Sequence, residues 1–348
     1  MIILIPAYKP DEKFLALLDR IKEVCGYKVV AVDDGGGPDY DGIFAEAEKK
    51  GAELIRYPVN KGKGGALKTG LKYIAEKYPD EPVVTADCDG QHRAEDIRAA
   101  AEKLGGRENT LVLGCREIRK MPLRSRTGNT LTRFFFWLFF GKLVSDTQTG
   151  VRAFSPSLRL PFSEIRGDRF EYEMNMLIKA VDSGVFIDEA PIATIYDTEK
   201  KQATHFNSLK DGFRIYALMI KDRLSFVFGW LAALLSLIFI PMLYGASLSV
   251  WTAALSAVAA TAARFLVLWL FDFFKEKKPP VYKPTDVIFG VLACLALAGA
   301  FVFFIFTAGW GSVGAAFAAL AVTSLFRLLF RHIKMKIREK KSLKGEKK

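Results

Sequence analysis

The stretch Asp87-Cys88-Asp89-Gly90-Gln91 has the residue types and spacing that most directly suggest chemistry. It follows a short apolar run, 83–86, that reads as a strand. Two carboxylates at i and i+2 beyond a strand end converge on a hard divalent cation, with the Gln91 carbonyl as a third oxygen ligand. Mg2+ or Mn2+ takes one or two carboxylates and leaves its other positions to substrate phosphates. An Asp-x-Asp pair alone is also common in solvated loops, so its neighbours in the fold decide its meaning.

Three further groups of residues bear on it. Asp33-Asp34-Gly35-Gly36-Gly37 follows a second apolar run, where an acidic side chain accepts hydrogen bonds from a nucleobase or ribose, or simply forms an acidic turn. Asn60-Lys61-Gly62-Lys63-Gly64-Gly65 precedes a helix expected from about Ala66; lysines and free backbone N–H groups at a helix start suit an anion. It is not a Walker loop, which needs G-x-x-x-x-G-K-[ST], and a flexible basic turn is the plain alternative. Arg116 and the run Arg124-Ser125-Arg126-Thr127-Gly128-Asn129 offer guanidinium forks, which bind phosphate oxygens in two-point fashion as lysine does not; a surface charge cluster is the alternative.

The elements that must position these residues are legible as alternation. Apolar runs at 2–6, 28–32, 53–57, 83–86 and 111–114 are separated by helical patterns at 12–24, 43–50, 66–77 and 94–104. Such alternation predicts a mostly parallel sheet covered on both faces. Its ligands sit beyond the carboxyl ends of the strands, where the motifs fall. Met1 to Ile5 lacks a basic start and runs into Pro6, so it reads as a first strand rather than a signal peptide.

Past about residue 225 the character changes. Four apolar segments, 226–244, 250–271, 287–308 and 312–330, approach the ~20 residues needed to cross a bilayer. The connections 245–249 and 309–311 carry no charge, whereas 272–286 carries Lys275, Lys277, Lys278 and Lys283 and the tail is strongly basic. The positive-inside rule places the charged connection, the tail and the N-terminal domain in the cytoplasm. Two segments, 132–143 and 207–224, are too short or too charged to span and suit helices in the headgroup layer, with ordinary core helices as the alternative. The 348 residues thus divide into 1–205, an amphipathic 206–224, a four-span 225–331 and a basic tail 332–348. The net charge of +12 lies largely beside the apolar runs, at Arg331, Lys334, Lys336, Arg338, Lys340 and Lys341, which favours a membrane over nucleic acid. Four widely spaced cysteines, Cys25, Cys88, Cys115 and Cys294, imply neither a disulfide framework nor a zinc site and fit a reducing compartment.

In this order the motifs resemble the family 2 glycosyltransferases, closest to the dolichyl- and undecaprenyl-phosphate sugar transferases. The resemblance covers residues 2 to about 223. Pro6-Ala7-Tyr8 is similar to the family's opening, although Lys9-Pro10-Asp11 stands where Asn-Glu-Glu is usual. Asp33-Asp34-Gly35 matches D-D-G-S except that Gly36 replaces the Ser. The resemblance implies a GT-A type nucleotide-sugar-binding domain in which Asp34 and the Pro6–Tyr8 turn hold the base, while Asp87, Asp89 and Gln91 hold Mg2+ or Mn2+ and the diphosphate. It places Lys63 and Glu173 among the donor-binding residues, and Arg116, Arg124 and Arg126 with Asp89 in catalysis at the acceptor phosphate. Asp146-Thr147-Gln148-Thr149-Gly150-Val151-Arg152 and Phe170-Glu171-Tyr172-Glu173 match family positions near the sugar, or are structural. The last four segments resemble, more weakly, a GtrA-like membrane domain.

The implied activity is inverting, metal-dependent transfer of one sugar from a UDP- or GDP-hexose to a polyprenyl phosphate at the cytoplasmic membrane face. The partners are then a nucleotide-sugar, a polyprenyl phosphate and membrane lipids, with room for a homo-oligomer and none for nucleic acid. The Q-x-x-R-W signature of processive synthases is absent, which argues for single-sugar transfer. Transfer to another lipid, or a lipid-sugar translocation protein with a non-catalytic domain, are the alternatives.

Overall fold

The computed structural model describes residues 1–193 and 210–223. The four expected spans, the basic tail and the segment 194–209 lie outside the described residues. Among the described residues, no helix is long and apolar enough to cross a membrane.

A seven-stranded sheet has the order β3-β2-β1-β4-β6-β5-β7. Its strands are β1 (Ile2–Ala7), β2 (Lys28–Asp34), β3 (Glu53–Tyr57), β4 (Val83–Thr85), β5 (Thr110–Arg116), β6 (Arg152–Phe154) and β7 (Phe186–Ile192). The strand β1 is buried along its whole length, as a continuous apolar run in a parallel sheet must be. Its neighbours run parallel, Ile2 opposite Lys28 on one side and Val83 on the other. Pro6 is tolerated in this central strand for a local reason. The Ile2 N–H donates to Pro82 O, so the alternate positions 4 and 6 also face β4, and β4 ends at Thr85, opposite Leu4.

The helices are α1 (Glu12–Val24), α2 (Asp41–Lys49), α3 (Lys63–Lys77), α4 (Ala94–Leu104), α5 (Leu123–Phe140), α6 (Arg159–Ser163), α7 (Glu171–Asp182) and α8 (Lys210–Asp222). Asp11 caps α1 by accepting the Lys13 N–H at 3.0 Å, and Gly105 and Gly141 end α4 and α5 in the left-handed conformation. Helices α1, α2 and α4 pack together on one side, over a core built from Phe14, Leu18, Phe44, Ile97 and the facing side chains of β1, β2 and β5. Helix α3 lies against β1 and β2 and touches α6 and α7.

The strand β6 departs from the alternating pattern. It pairs antiparallel with both β4 and β5, so the loop leading into it, 146–151, arrives at the edge where the parallel strands have their carboxyl ends. Helix α5 divides its aromatic run between core and surface. The Phe-rich stretch is not wholly a surface feature: Phe136 and Phe140 are buried and stacked at 4.9 Å, whereas Leu131 and Phe134 are 48% and 51% exposed. One face belongs to the core and the other is bare. The described part of α8 meets α5 through Tyr216, whose ring lies 5.6 Å from that of Phe135 and whose hydroxyl is 3.2 Å from Thr132 Oγ1.

Candidate active site

At the carboxyl edge of the sheet, the ends of β1, β2, β4 and β5 gather the motif residues with the loop before β6. Pro6 and Ala7 are buried and Tyr8 is half-buried, with the Lys9 ammonium 5.4 Å from the Tyr8 ring centre. Lys9 has a φ of 54°, a left-handed conformation that a lysine adopts only under local constraint. This turn therefore closes β1 with local backbone strain.

Asp34 is more thoroughly engaged than its motif suggests. One carboxylate oxygen accepts from Tyr57 Oη at 2.7 Å and the Lys61 N–H at 2.8 Å. The other accepts from Asn60 Nδ2 at 3.0 Å and the Gly62 N–H at 2.9 Å. A carboxylate has about four lone-pair sites, and all are filled by protein donors. The anion held by the basic glycine turn is thus the protein's own Asp34. The expectation of free N–H groups there is corrected further by Gly65, whose N–H donates to Asp168 O at 2.9 Å. The glycines serve close packing: a Cβ at Gly64 would fall 2.5 Å from the Tyr172 Cβ and 2.9 Å from the Asp168 carbonyl carbon. Asp33 makes fewer bonds, accepting from the Gly36 N–H at 2.8 Å and Arg56 Nε at 3.1 Å.

Lys63, the first residue of α3, reaches across this turn and bridges two carboxylates, Asp87 at 2.6 Å and Glu173 at 2.9 Å. Burial disfavours its charge, but the two carboxylates override that and hold the ammonium above the ordinary lysine range. Burial likewise raises Asp87, and the Lys63 charge outweighs it, leaving that carboxyl below its usual range. Asp89 behaves oppositely: burial and the neighbouring Asp87 charge both push it up. The pair is thus asymmetric, one carboxylate neutralised by an ammonium and the other in want of positive charge. Asp89 Oδ1 accepts the Gln91 N–H at 3.0 Å, closing the turn at Gly90. Among the described residues no group of three or more His, Cys, Asp or Glu side chains forms a metal cage. The two carboxylates fit a cation that takes its remaining ligands from a diphosphate. Cys88, between them, does not join: burial and the flanking carboxylates push its thiol up to about 12.

His92, given no role in the sequence, and the 146–152 motif, expected near the sugar or as a structural element, complete the site. His92 Nδ1 accepts the Asp87 N–H at 3.0 Å, which leaves the proton of the neutral ring on Nε2, 3.9 Å from Asp87 Oδ2. A Cβ at Gly150 would collide with that Asp87 oxygen and lie 2.9 Å from His92 Cε1, so only glycine fits. Asp146, wholly buried, grips Arg116 at two points, 2.6 Å to Nε and 3.0 Å to Nη2. The fork expected to meet a phosphate is therefore already oriented by a carboxylate. Arg152, also buried, donates to the carbonyls of Thr147, Thr149 and Glu173, tying the loop to α7. Arg126 is exposed on the first turns of α5, and the side chain of Arg124 lies outside the described ones. The Arg116–Asp146 and Arg152–Glu173 bonds join residues 30 and 21 positions apart, which spacing does not reveal, whereas His92 and the 147–152 loop bond within five residues and gave only a local signal.

A family model described as Glycosyl transferase family 2 matches residues 2–163. The chain is 32% identical over 229 residues to a protein of Methanocaldococcus jannaschii, covering 64% of this chain and 91% of that one. It is 32% identical over 241 residues to the UDP-N-acetylglucosamine–dolichyl-phosphate N-acetylglucosaminyltransferase of Methanococcus voltae, covering 63% of this chain and 95% of that one. In fold it is similar to glucosyl-3-phosphoglycerate synthase from Mycobacterium tuberculosis, solved with Mn2+, UDP-glucose and phosphoglyceric acid. That match has a TM-score of 0.50 at 19% identity and covers 63% of this chain and 78% of that one.

Proposed function

Starting from the fact that the chain belongs to glycosyl transferase family 2, we propose that it moves one sugar from a UDP- or GDP-hexose to a polyprenyl phosphate at the cytoplasmic face of a membrane. The observation that carries this reading is the asymmetric carboxylate pair, with Lys63 neutralising Asp87 and Asp89, among the described residues, without a cationic partner at hydrogen-bonding distance. The acceptor is supported by the Methanococcus relative, whose name gives dolichyl phosphate as its acceptor.

In this reading Asp87, Asp89 and the Gln91 amide oxygen hold Mg2+ or Mn2+. The bound cation supplies positive charge to the leaving diphosphate. The Pro6-Ala7-Tyr8 turn faces the base, and Asp34 acts on it indirectly by fixing Tyr57 and the 60–62 loop. Lys63 and Glu173 sit on the sugar side of Asp87. Arg116, Arg126 and Arg124 bind the acceptor phosphate, with Arg116 presented by Asp146. A phosphate monoester is largely ionised at neutral pH, with a second pKa of about 6, so no strong base is required. A phosphate oxygen forms its bond to the anomeric carbon while the bond from that carbon to the diphosphate breaks. The electron pair leaves with the nucleoside diphosphate. Attack opposite the leaving group inverts the configuration. The protein's share is positioning and charge compensation in a partly dehydrated site.

The bare face of α5, with Leu123, Leu131 and Phe134 and then Leu143 beyond it, lies in the headgroup layer, and the apolar segments after residue 225 anchor the chain. Asp89→Ala tests the donor half. It removes a charge that acts on the leaving group, so turnover should fall ~10²-fold or more while the melting temperature stays near that of the unmodified protein. Undiminished turnover in that variant, or full activity in EDTA, would contradict the assignment.

A further inference from the structure

Asn129 has no place in the chemistry above, yet it is fully buried in the middle of α5, on the turn after Arg126. Asparagine is a weak helix former, and its side chain usually bonds nearby backbone instead. Here it reaches another segment. Its Oδ1 accepts the Thr147 N–H at 3.2 Å and the Thr147 hydroxyl at 3.1 Å. The peptide N–H is only a donor, so the amide oxygen must face it and the Nδ2 group must point away, where it has no partner among the described residues. A buried donor left unpaired is unfavourable. Aspartate would avoid that penalty and accept the same two bonds, but would set a second buried charge beside Asp146. Asparagine is the residue that offers a neutral acceptor at this point.

The consequence is a short chain of contacts. Arg116 is gripped by Asp146, Asp146 is followed by Thr147, Thr147 is held by Asn129, and Asn129 lies three residues from Arg126 on the same helix. Residues three apart are neighbours on a helix surface. We infer that Asn129 is a positioning residue that sets the spacing between the Arg116 and Arg126 guanidinium groups, and so the fit of the acceptor phosphate. This rests on the acceptor reading above. The loop has a second, independent tether, because Arg152 donates to Thr147 O and Thr149 O. Loss of Asn129 should therefore displace α5 relative to the loop without unravelling the loop or the carboxylate pair.

The test uses the full chain in detergent, a labelled nucleotide-sugar and a short-chain polyprenyl monophosphate, with the matching polyprenol as control. Asn129→Leu should raise KM for the lipid phosphate about tenfold or more, since small misplacements of binding groups are costly. The nucleotide-sugar KM should stay within about twofold. Adding Arg126→Lys should then worsen KM less in the Asn129→Leu background than in the unmodified chain. Thr147→Val, which keeps the peptide N–H and loses the hydroxyl, is the milder companion and should shift the same KM in the same direction by less. A rise of both KM values together, or a lower melting temperature with unchanged KM, would reduce Asn129 to a structural tie and overturn the inference. Equal use of polyprenol and its phosphate by the unmodified protein would instead remove the acceptor reading, and the inference with it.

Discussion

Asp89 is the residue on which the account is most exposed to measurement. Burial and the Asp87 charge raise its carboxyl above the ordinary value of 3.8, so it takes up a proton at a higher pH than a free aspartate. A cation must displace that proton. Mn2+ affinity should therefore decline on acidification while pH is still above 3.8, and Mn2+ binding there should release a proton into the buffer. Calorimetry in buffers of different ionisation enthalpy reads both. Affinity that stays flat down to that value would show that Asp89 is not a ligand. The Asp87–Lys63 pair works the other way. Asp87 is lowered, so its contribution to stability is present above its unfolded pKa and is lost as pH falls through its folded one. Lys63 is raised, so its contribution is present below its unfolded pKa and lost as pH rises through its folded one. The Asp-x-Asp turn was legible in the sequence because its members are adjacent. Asp34 was legible only as an acidic residue after a strand. Its partners Tyr57, Asn60, Lys61 and Gly62 lie 23 to 28 residues away, and spacing says nothing of whether a carboxylate faces a ligand or a loop.

Helix α5 shows how far pattern reading goes for a whole element. Its dense aromatic run marks a helix at an apolar boundary, but a run of Phe on every side cannot reveal which face the core takes. The packing divides them, with Phe136 and Phe140 inward and Leu131 and Phe134 outward. In the full chain reconstituted into vesicles, with its native cysteines replaced, a fluorophore on Phe134→Cys should be quenched by spin-labelled lipid. One on Glu48→Cys, on the exposed end of α2, should not. Equal quenching at both positions would remove α5 from the membrane surface. The early strands and helices were legible because apolar runs and 3.6-residue patterns alternate cleanly. The three-residue strand β6 was not, since it opens on Arg152, whose burial is made tolerable by carbonyls of its own loop and of α7 and by the nearby Glu173 and Asp146 carboxylates. The start of α3 was placed late for a related reason. Gly64 and Gly65 read as a flexible turn, whereas their missing side chains let α3 begin at Lys63, against the 168–172 segment.

The molecule as a whole joins a family 2 domain to four long apolar sequence segments that begin at residue 226. The proposed acceptor ties the two: a lipid whose charged head must reach Arg116 and Arg126 while its tail stays in the bilayer. Nucleotide-sugars carry charge and do not cross membranes unaided, so the reaction belongs on the side where the donor is available. The direct test is to incubate membranes holding the full chain with a panel of labelled UDP- and GDP-sugars, supplying polyprenyl phosphate or diacylglycerol. The account predicts one preferred donor, label in a polyprenyl-phosphate-linked product carrying a single sugar, and loss of that product in Asp89→Ala. Label transferred to diacylglycerol in preference, or donor binding without any transfer to polyprenyl phosphate, would contradict it.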